Sequence, residues 1–565
     1  MRKELTIILT TAFYANSFAQ LSTNEQPISF EYRTGLNLND ETIPTVTMPV
    51  LDMETIEKED MEDEDKGIPP RFGYPHKVVY DLNNSGLWQE LPNGDKLWRL
   101  NVCCPGALSI NFLFDKFWIP EGGKFFIYST DHKHSIGAFT HRNNKGTKDN
   151  VRGFATALVY GSDVTLEYYQ PRDVTEDAII SVDYINHVYR YIHFNDRWYG
   201  SSGSCQVNVN CSEGDNWQNE KRAVARIFMN GIYCCSGSLI STTDLSPKPY
   251  LLTAHHCIED FGDAVNSPNL DYYTFYWSYE SLGCSNSIPT DSFSTSGAII
   301  LSNSSTSDFA LLQLAEDPKD IPGFAPYYLG WDCTGQSGDP GVCIHHPKAD
   351  VKKISTVLAK PISTAFYHYT ELPNKGYWKV KWKGTQNGHG TTEGGSSGSA
   401  LLTAEHKVIG QLKGGKSNCN GDSINYSDWF GKISYSWTNN NNSNIHRRLN
   451  CWLDSLNTGE QAIEGLLIIR VDSTMSADQQ LYSNIRITSS GQLTIQSDIE
   501  LMGNSSVIVE PGGMLVIDGG TLSNVELVLK PGASLQIINN GILETRNGFT
   551  APVGTIVDVE YGQII

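Results

Sequence analysis

Short apolar runs separated by turn-forming clusters recur along most of this chain. Between about Pro69 and His193 the runs KLWRLNVCC, KFFIYST, FATALVYG and VTLEYYQP alternate with the turn clusters PEGGK and HRNNKG. Aromatic and β-branched runs of this length, bounded by Gly, Asn and Asp, predict strands, and their succession predicts a unit of the sandwich type. From about Asn484 the pattern becomes periodic: ITSSGQLTI, VEPGGMLVI and LKPGASLQI follow one another with Gly491, Gly512 and Gly532 at similar points. Such a repeat, roughly 20 residues long, predicts stacked coils of a β-solenoid in which each coil hides its apolar face against its neighbours. Long amphipathic helical patterns are scarce, so the fold class is all-β.

With 565 residues the chain exceeds what one hydrophobic core sustains, and about three folded units are expected. The expected division is residues 1–19, 20–68, 69–199, 200–466 and 467–565. The first of these reads as a signal peptide, with basic Arg2 and Lys3, an apolar stretch from Leu5 to Tyr14 and small residues Ser17 and Ala19; cleavage is expected after Ala19. No later run approaches the roughly 20 apolar residues that cross a bilayer, so a secreted or surface-attached chain is expected. Its 12 cysteines would then meet an oxidising compartment and be mostly disulfides. The net charge of -21 argues against nucleic acid as a partner. Part of that charge is local: Asp52 to Asp65 carries nine carboxylates against the single Lys58, and such a block is expected to be a solvated, disordered leader or linker.

The candidate chemistry lies between Gly200 and Leu466. LLTAHHC puts His256 at the end of an apolar run and directly before Cys257, TSDFALLQL puts Asp308 just ahead of another, and EGGSSGSALL places Ser397 in a Gly-flanked turn. Singly, these read as a structural histidine or metal ligand, a turn aspartate and a Gly-Ser linker. Together, in this order and 52 and 89 residues apart, they match a His-Asp-Ser triad on paired β-barrels, with the N–H groups of Gly395 and Ser397 as the oxyanion hole. An α/β-hydrolase is excluded, since its triad runs Ser, Asp, His.

Residues 200–466 resemble the lysyl endopeptidases, a bacterial branch of the chymotrypsin-like serine proteases. The matching stretches include GSSGSCQVNVNCSEGD, CSGSLIS, LTAHHC, SDFALLQL, LGWD, IHHP, GSSGSAL, VIGQLKGG, SDWFGKISYSW and WLDSLNTG. The resemblance implies a chymotrypsin-like double β-barrel, with the sandwich unit as a pro-region and the solenoid as an addition. It implies His256 as general base, Asp308 as its orienting partner, Ser397 as nucleophile and His255 as a packing residue, with no cofactor or metal. It also implies the disulfides Cys205–Cys419, Cys211–Cys284 and Cys235–Cys257. Cys333–Cys343 is a further candidate pair and Cys234–Cys451 a guess, while the adjacent Cys103 and Cys104 have no evident role. His345 and His346, in IHHP, are read as structural.

Asp428 matches the family's carboxylate at the base of the substrate pocket, beside Gly414; Thr391 stands where trypsin keeps its own pocket aspartate. Lys413 departs from the family, which has a histidine there. At the substrate-binding face, a permanent cation close to His256 would disfavour the imidazolium or repel a lysyl substrate; the commoner outcome expected is that its flexible stem carries the ammonium into water. The implied function is a secreted serine endopeptidase cutting after Lys, with Arg as an open alternative. The other class is a catalytically weak adhesin that attaches through its solenoid to a glycan, a cell envelope or a secretion component. The family's mature start falls at Gly200, after Tyr199. No lysine lies between Lys148 and Lys221, so the pro-region is expected to stay attached, or to be removed by another protease or after Arg197.

Overall fold

A computed structural model describes residues 18–20, 25–32, 43–66, 71–190, 200–259, 269–287, 292–366, 375–439 and 441–565. The expected signal peptide lies outside them except for Phe18–Gln20, which runs parallel to Ser292–Ser296. Arg197 and Tyr199 lie outside as well.

The first unit is a sandwich of two antiparallel sheets. One orders Phe154–Ala155, Ser109–Trp118, Ile179–Val188 and Gly73–Asp81; the other centres on Lys96–Cys103, Asp163–Gln170 and Lys124–Ser129. Side chains alternate across a strand, so Phe112 and Phe114 enter the inter-sheet core with Phe117, Phe125 and Leu166 while Leu113 packs outward against Tyr184 and Tyr272.

The acidic block is not a disordered linker. Met53–Lys66 is an α-helix with Asp52 as its cap, accepting from Thr55 Oγ1 at 2.8 Å. Ile56 and Asp60, one turn apart, share its buried face. Asp60 takes hydrogen bonds from Arg71 Nε (2.8 Å), Arg190 Nη2 (2.7 Å) and Tyr189 OH (2.8 Å). Those partners lie far along the chain, so local charge density gave the wrong prediction here.

Two β-barrels follow. In the first, strands from Thr274–Trp277 through Val224–Met229, Tyr233–Leu239, Tyr250–Ala254 and Phe309–Leu314 are flanked at opposite edges by Ser292–Ser296 and Ala298–Ser304. Only Gly297 separates those two edge strands, so the sheet closes on itself. In the second, Val357 bridges to Trp382 and joins the two ends of the sheet around Cys343, Trp378, Leu401, Ile409 and Phe430. The solenoid starts at Gly465–Ile469, earlier than the repeat suggested, and its parallel register stacks Leu493, Leu515 and Leu535.

Neither appended unit is a loosely tethered domain. Phe228, Cys234 and Tyr276 of the first barrel are part of the sandwich core. Across the same boundary Asn143 Nδ2 donates to Glu316 Oε1 (2.8 Å), Lys145 Nζ to Ser296 Oγ (2.7 Å), Leu158 N to Tyr276 OH (2.9 Å) and Arg152 Nε to Asp271 Oδ2 (3.1 Å). On the other side Tyr327–Tyr328 pairs with the first solenoid strand, and His406 stacks between Trp217 and Tyr482 at 4.1 and 4.6 Å.

The three family disulfides are formed: Cys205–Cys419, Cys211–Cys284 and Cys235–Cys257. The two extra pairings are not; Cys234, Cys333, Cys343 and Cys451 are all free thiols, as are Cys103 and Cys104. Cys333 faces the core around Trp331, whereas Cys343 faces the interior of the second barrel. Cys234 and Cys235 are neighbours on one strand and so point to opposite faces, Cys235 to Cys257 and Cys234 to the sandwich.

A shared core of this kind should outlast the covalent connection. A protein cut once at an engineered site within residues 191–199 is expected to elute as one particle on gel filtration in native buffer and to separate only in denaturant; separation in native buffer would show that the interface does not hold.

Candidate active site

The two barrels bring His256, Asp308 and Ser397 to one place. His256 lies in the short turn His255–Ile258 that ends the strand Tyr250–Ala254, and the neighbouring Cys257 is bound to Cys235. Its Nδ1 is 2.8 Å from Asp308 Oδ2, and its backbone N–H donates to Oδ1 at 3.1 Å. Asp308 is 1% exposed and has a positive φ of 57°, a conformation costly for a non-glycine residue. His255 N donates to the Asp308 backbone carbonyl at 2.9 Å, so backbone and carboxylate together fix Asp308 against the histidine turn.

Ser397 sits half-buried in the turn between Glu393 and Gly398. Its carbonyl accepts from Ser236 N (2.8 Å) and lies 3.7 Å from Cys257 Sγ; a ring nitrogen of His256 is within 4.8 Å of both sulfurs of that disulfide. A Cβ on Gly398 would come within 2.1 Å of Thr253 Oγ1 and 2.4 Å of Ser236 O, so only glycine lets the turn approach the first barrel this closely. Among the described residues, no hydrogen bond engages the N–H of Gly395 or Ser397, while Ser396 N donates to Glu393 O at 3.0 Å. Two adjacent unengaged donors beside a serine are what an oxyanion requires.

Lys413 does not extend into water. A bulge between Leu412 and Gly414 in the strand Lys407–Gly415 re-aims it, and its Nζ lies 3.4 Å from Asp308 Oδ1 with the side chain 27% exposed. Burial pushes the Asp308 carboxyl up, but the charge and hydrogen bond of His256, followed by the Lys413 ammonium, outweigh it and hold the group below its usual range.

Asp428 is buried behind the strand that carries Gly414 and Gly415; a Cβ on Gly415 would meet its Oδ1 at 1.9 Å. Its oxygens accept from Trp382 Nε1 (2.6 Å), Thr392 Oγ1 (2.7 Å), Ser417 N (3.2 Å) and Ser417 Oγ. All four donors are neutral, and burial raises the Asp428 carboxyl against the opposing effect of these bonds. Thr391 is bonded to Ser417 through their hydroxyls, and Gly414 has open space where a side chain would be.

Sequence reasoning read His345 and His346 as structural but did not single out the serines that brace the turn with them. His345 Nδ1 is 2.8 Å from Ser396 Oγ and its Nε2 3.0 Å from Ser355 Oγ; burial lowers its imidazole to about 3. Ser236 Oγ donates to Gly395 O at 2.9 Å and accepts from His346 N at 3.0 Å. Serines and threonines this common carry no signal in one sequence. His255 is tied to Glu259 at 2.8 Å and its imidazole is lowered by burial. Cys235, His256 and Cys257 form a metal-like cluster by distance alone, but both sulfurs are spent in their disulfide.

Paired antiparallel barrels with His, Asp and Ser at their junction define the chymotrypsin-like class of fold. Residues 199–431 match the family model described as lysyl endopeptidase, C-terminal domain. The lysyl endopeptidase of Pseudomonas aeruginosa is 28% identical over 300 residues, covering 50% of this chain. The chain spans 61% of that relative's length. Among solved structures, a protease of M. tuberculosis in its active form is 16% identical with a TM-score of 0.24, covering 38% of this chain and 77% of that one. An inactive form is 15% identical with a TM-score of 0.25, covering 39% and 85%.

The Gly398→Ala substitution combines a steric overlap with a φ of +84°. It is expected to destabilise the catalytic domain by about 2–4 kcal/mol, read as an earlier thermal transition; an unchanged transition would show that the turn can retreat from the first barrel.

Proposed function

We propose that this protein is a serine endopeptidase that works through an acyl-enzyme and cuts after lysine, with arginine as the open alternative. The carrying observation is the buried Asp308 held against His256 beside a serine whose turn offers two unengaged N–H groups. Ser397 Oγ attacks the substrate carbonyl carbon while His256 takes its proton. Negative charge develops on the carbonyl oxygen, where the N–H groups of Gly395 and Ser397 receive it. His256 then passes the proton to the leaving nitrogen as the C–N bond breaks, leaving an ester on Ser397; water repeats the sequence and frees the acid.

The preference for a cation is supported by Asp428. A carboxylate held only by neutral donors in a buried position gains most from a cationic partner and penalises neutral side chains, which leave its charge uncompensated. Secretion is consistent with three disulfides in one domain. No helix among the described residues is long and apolar enough to cross a membrane.

Ser397→Ala and His256→Ala are each expected to lower kcat/KM for peptide hydrolysis by at least about 10,000-fold, because the groups act as a unit. The melting temperature of Ser397→Ala should stay near that of the parent, and labelling by a fluorophosphonate should vanish. Retained hydrolysis in either variant would refute the assignment. Asp428→Asn keeps the volume and removes the charge, so the ratio of lysyl to neutral-substrate kcat/KM should fall by about 100-fold or more. A ratio that does not move would place specificity elsewhere.

A further inference from the structure

The sheet of the second barrel presents two faces beside the Ser397 turn. Asp428 and Trp429 are neighbours on the strand Asp428–Lys432, so their side chains point to opposite faces. Asp428 turns inward to Trp382 and Thr392. Trp429 takes the outer face, where Phe366 meets it edge-on at 6.0 Å. The adjacent strand Tyr377–Val380 divides in the same way: Trp378 and Val380 enter the core, while Lys379 and, just beyond the strand, Lys381 face out. Lys379 stands opposite Trp429, and Trp429 opposite Gly414, so the three form one row across the sheet. Its ends are roughly 10 Å apart at Cα, and Lys379 leans along it, with Nζ 5.5 Å from the Trp429 ring centroid. A Cβ on Gly414 would meet nothing within 4 Å, so space stays open over the other end of the row.

The edge beside Gly414 is free. The strand Ala400–Thr403 ends opposite Gln411, and the last bonds on its side are Leu412 N to Ser399 O and Gly398 N to Leu412 O, both 2.9 Å. Among the described residues no strand lies beside Lys413, Gly414 and Gly415 on the Ser397 side. An extended peptide can lengthen the sheet there, antiparallel to Lys407–Gly415, with successive side chains on alternate faces. With the cut lysine on the Asp428 face, the third residue ahead of it falls on the outer face, past Gly414 and toward Lys379. No carboxylate among the described residues pairs with Lys379 or Lys381, which sets this face apart in a chain of net charge -21. Lys413, the other cation beside these aromatic rings, is held by Asp308.

We propose that this row is a subsite for an acidic side chain, that of the third residue ahead of the cut lysine, with Lys379 as its cation and Trp429 as its floor. The proposal rests on the serine endopeptidase reading above and extends its specificity. The substrate is then read by two opposite charges on opposite faces of one sheet: a cation within, against Asp428, and a carboxylate outside, against Lys379. The outer pair is exposed, so its contribution is modest and screened by salt. It acts against the field of the whole chain, which repels anionic substrates, and so marks a local preference. Lys381, next on the same face, adds to the attraction.

The test uses lysyl peptides of one length that carry a single Glu at the third position ahead of the lysine, at the second, or at the second position after the cut bond. Reference peptides carry Gln at the same places. The ratio of kcat/KM for Glu over Gln is measured at low and high salt with the full chain and with Lys379→Gln, Lys379→Glu and Lys379→Arg. Glu at the third position is expected to raise kcat/KM about fivefold at low salt, the upper end for one exposed pair, and high salt should remove most of the gain. The gain should vanish in Lys379→Gln, become a loss in Lys379→Glu and persist in Lys379→Arg. No gain, a gain that survives Lys379→Gln, or an equal gain at either of the other positions would overturn the proposal while leaving the endopeptidase reading intact. Should a Lys379 variant fail to fold, the comparison of positions on the unaltered protein decides the matter. No hydrolysis of any lysyl peptide, together with no fluorophosphonate label on Ser397, would overturn that reading and the proposal with it.

Discussion

The catalytic centre depends on how closely one turn of the second barrel can approach a strand of the first. Ser397 O is hydrogen-bonded to Ser236 N, and Gly398 lies where any side chain would strike Thr253 and Ser236. Only this approach brings the serine near an imidazole mounted on the other barrel. The Cys235–Cys257 disulfide fixes the same spot from the first barrel, since its sulfurs lie beside both the His256 ring and the Ser397 carbonyl. Similarly, a Cβ on Gly431 would lie 1.8 Å from Ser307 O, so that glycine lets the segment before Asp308 lie against the second barrel. Glycines at contacts between barrels, rather than the triad residues themselves, set the distances on which the chemistry rests.

Lys413 changes the electrostatics of that centre. Asp308 faces the His256 imidazole on one oxygen and the Lys413 ammonium on the other, so its charge is divided between two partners. The ammonium keeps Asp308 ionised and oriented in a buried site, and it competes with the imidazolium for the same carboxylate. Lys413 is about a quarter exposed, which screens the competition but does not remove it. A histidine at this place would make the same contact only when protonated; a lysine makes the interaction permanent.

The parts of this arrangement that were legible in the sequence share a physical signature. Strand runs and the glycines around Ser397 appear as local patterns imposed by backbone geometry within a few residues, while the solenoid period and the order of His256, Asp308 and Ser397 are linear patterns that can be read along the chain without knowing which residues touch. What was not legible depends on partners distant along the chain. The acidic block became a helix because Arg71 and Arg190 converge on Asp60. Lys413, the residue at the bulge between Leu412 and Gly414, turned inward toward Asp308 far upstream in the chain. The thiol pairs Cys333–Cys343 and Cys234–Cys451 failed because strand alternation and barrel closure send their members into different cores, which spacing alone does not reveal. Ser236 carries no motif at all, and its role follows only from its bonds to Gly395 and His346.

The amino-terminal sandwich reaches the loop from His346 to Val351, which packs behind Gly395. Arg226, buried on the sandwich-facing side of the first barrel, donates from Nη1 to Ala349 O at 2.9 Å. Its guanidinium lies over Phe228, Tyr276 and Tyr279, at 4.6, 4.7 and 3.5 Å from the ring centroids. Phe228 and Tyr276 belong to the sandwich core, where Phe72 packs on Phe228 at 4.3 Å and Leu158 N donates to Tyr276 OH. Removing the sandwich would wet the aromatic surface on which Arg226 rests, and a solvated guanidinium holds a buried carbonyl less well. The same Ala349 is one of the two residues with positive φ behind Gly395. The amino-terminal sandwich therefore contributes, through Arg226, to the support of the loop behind the Ser397 turn.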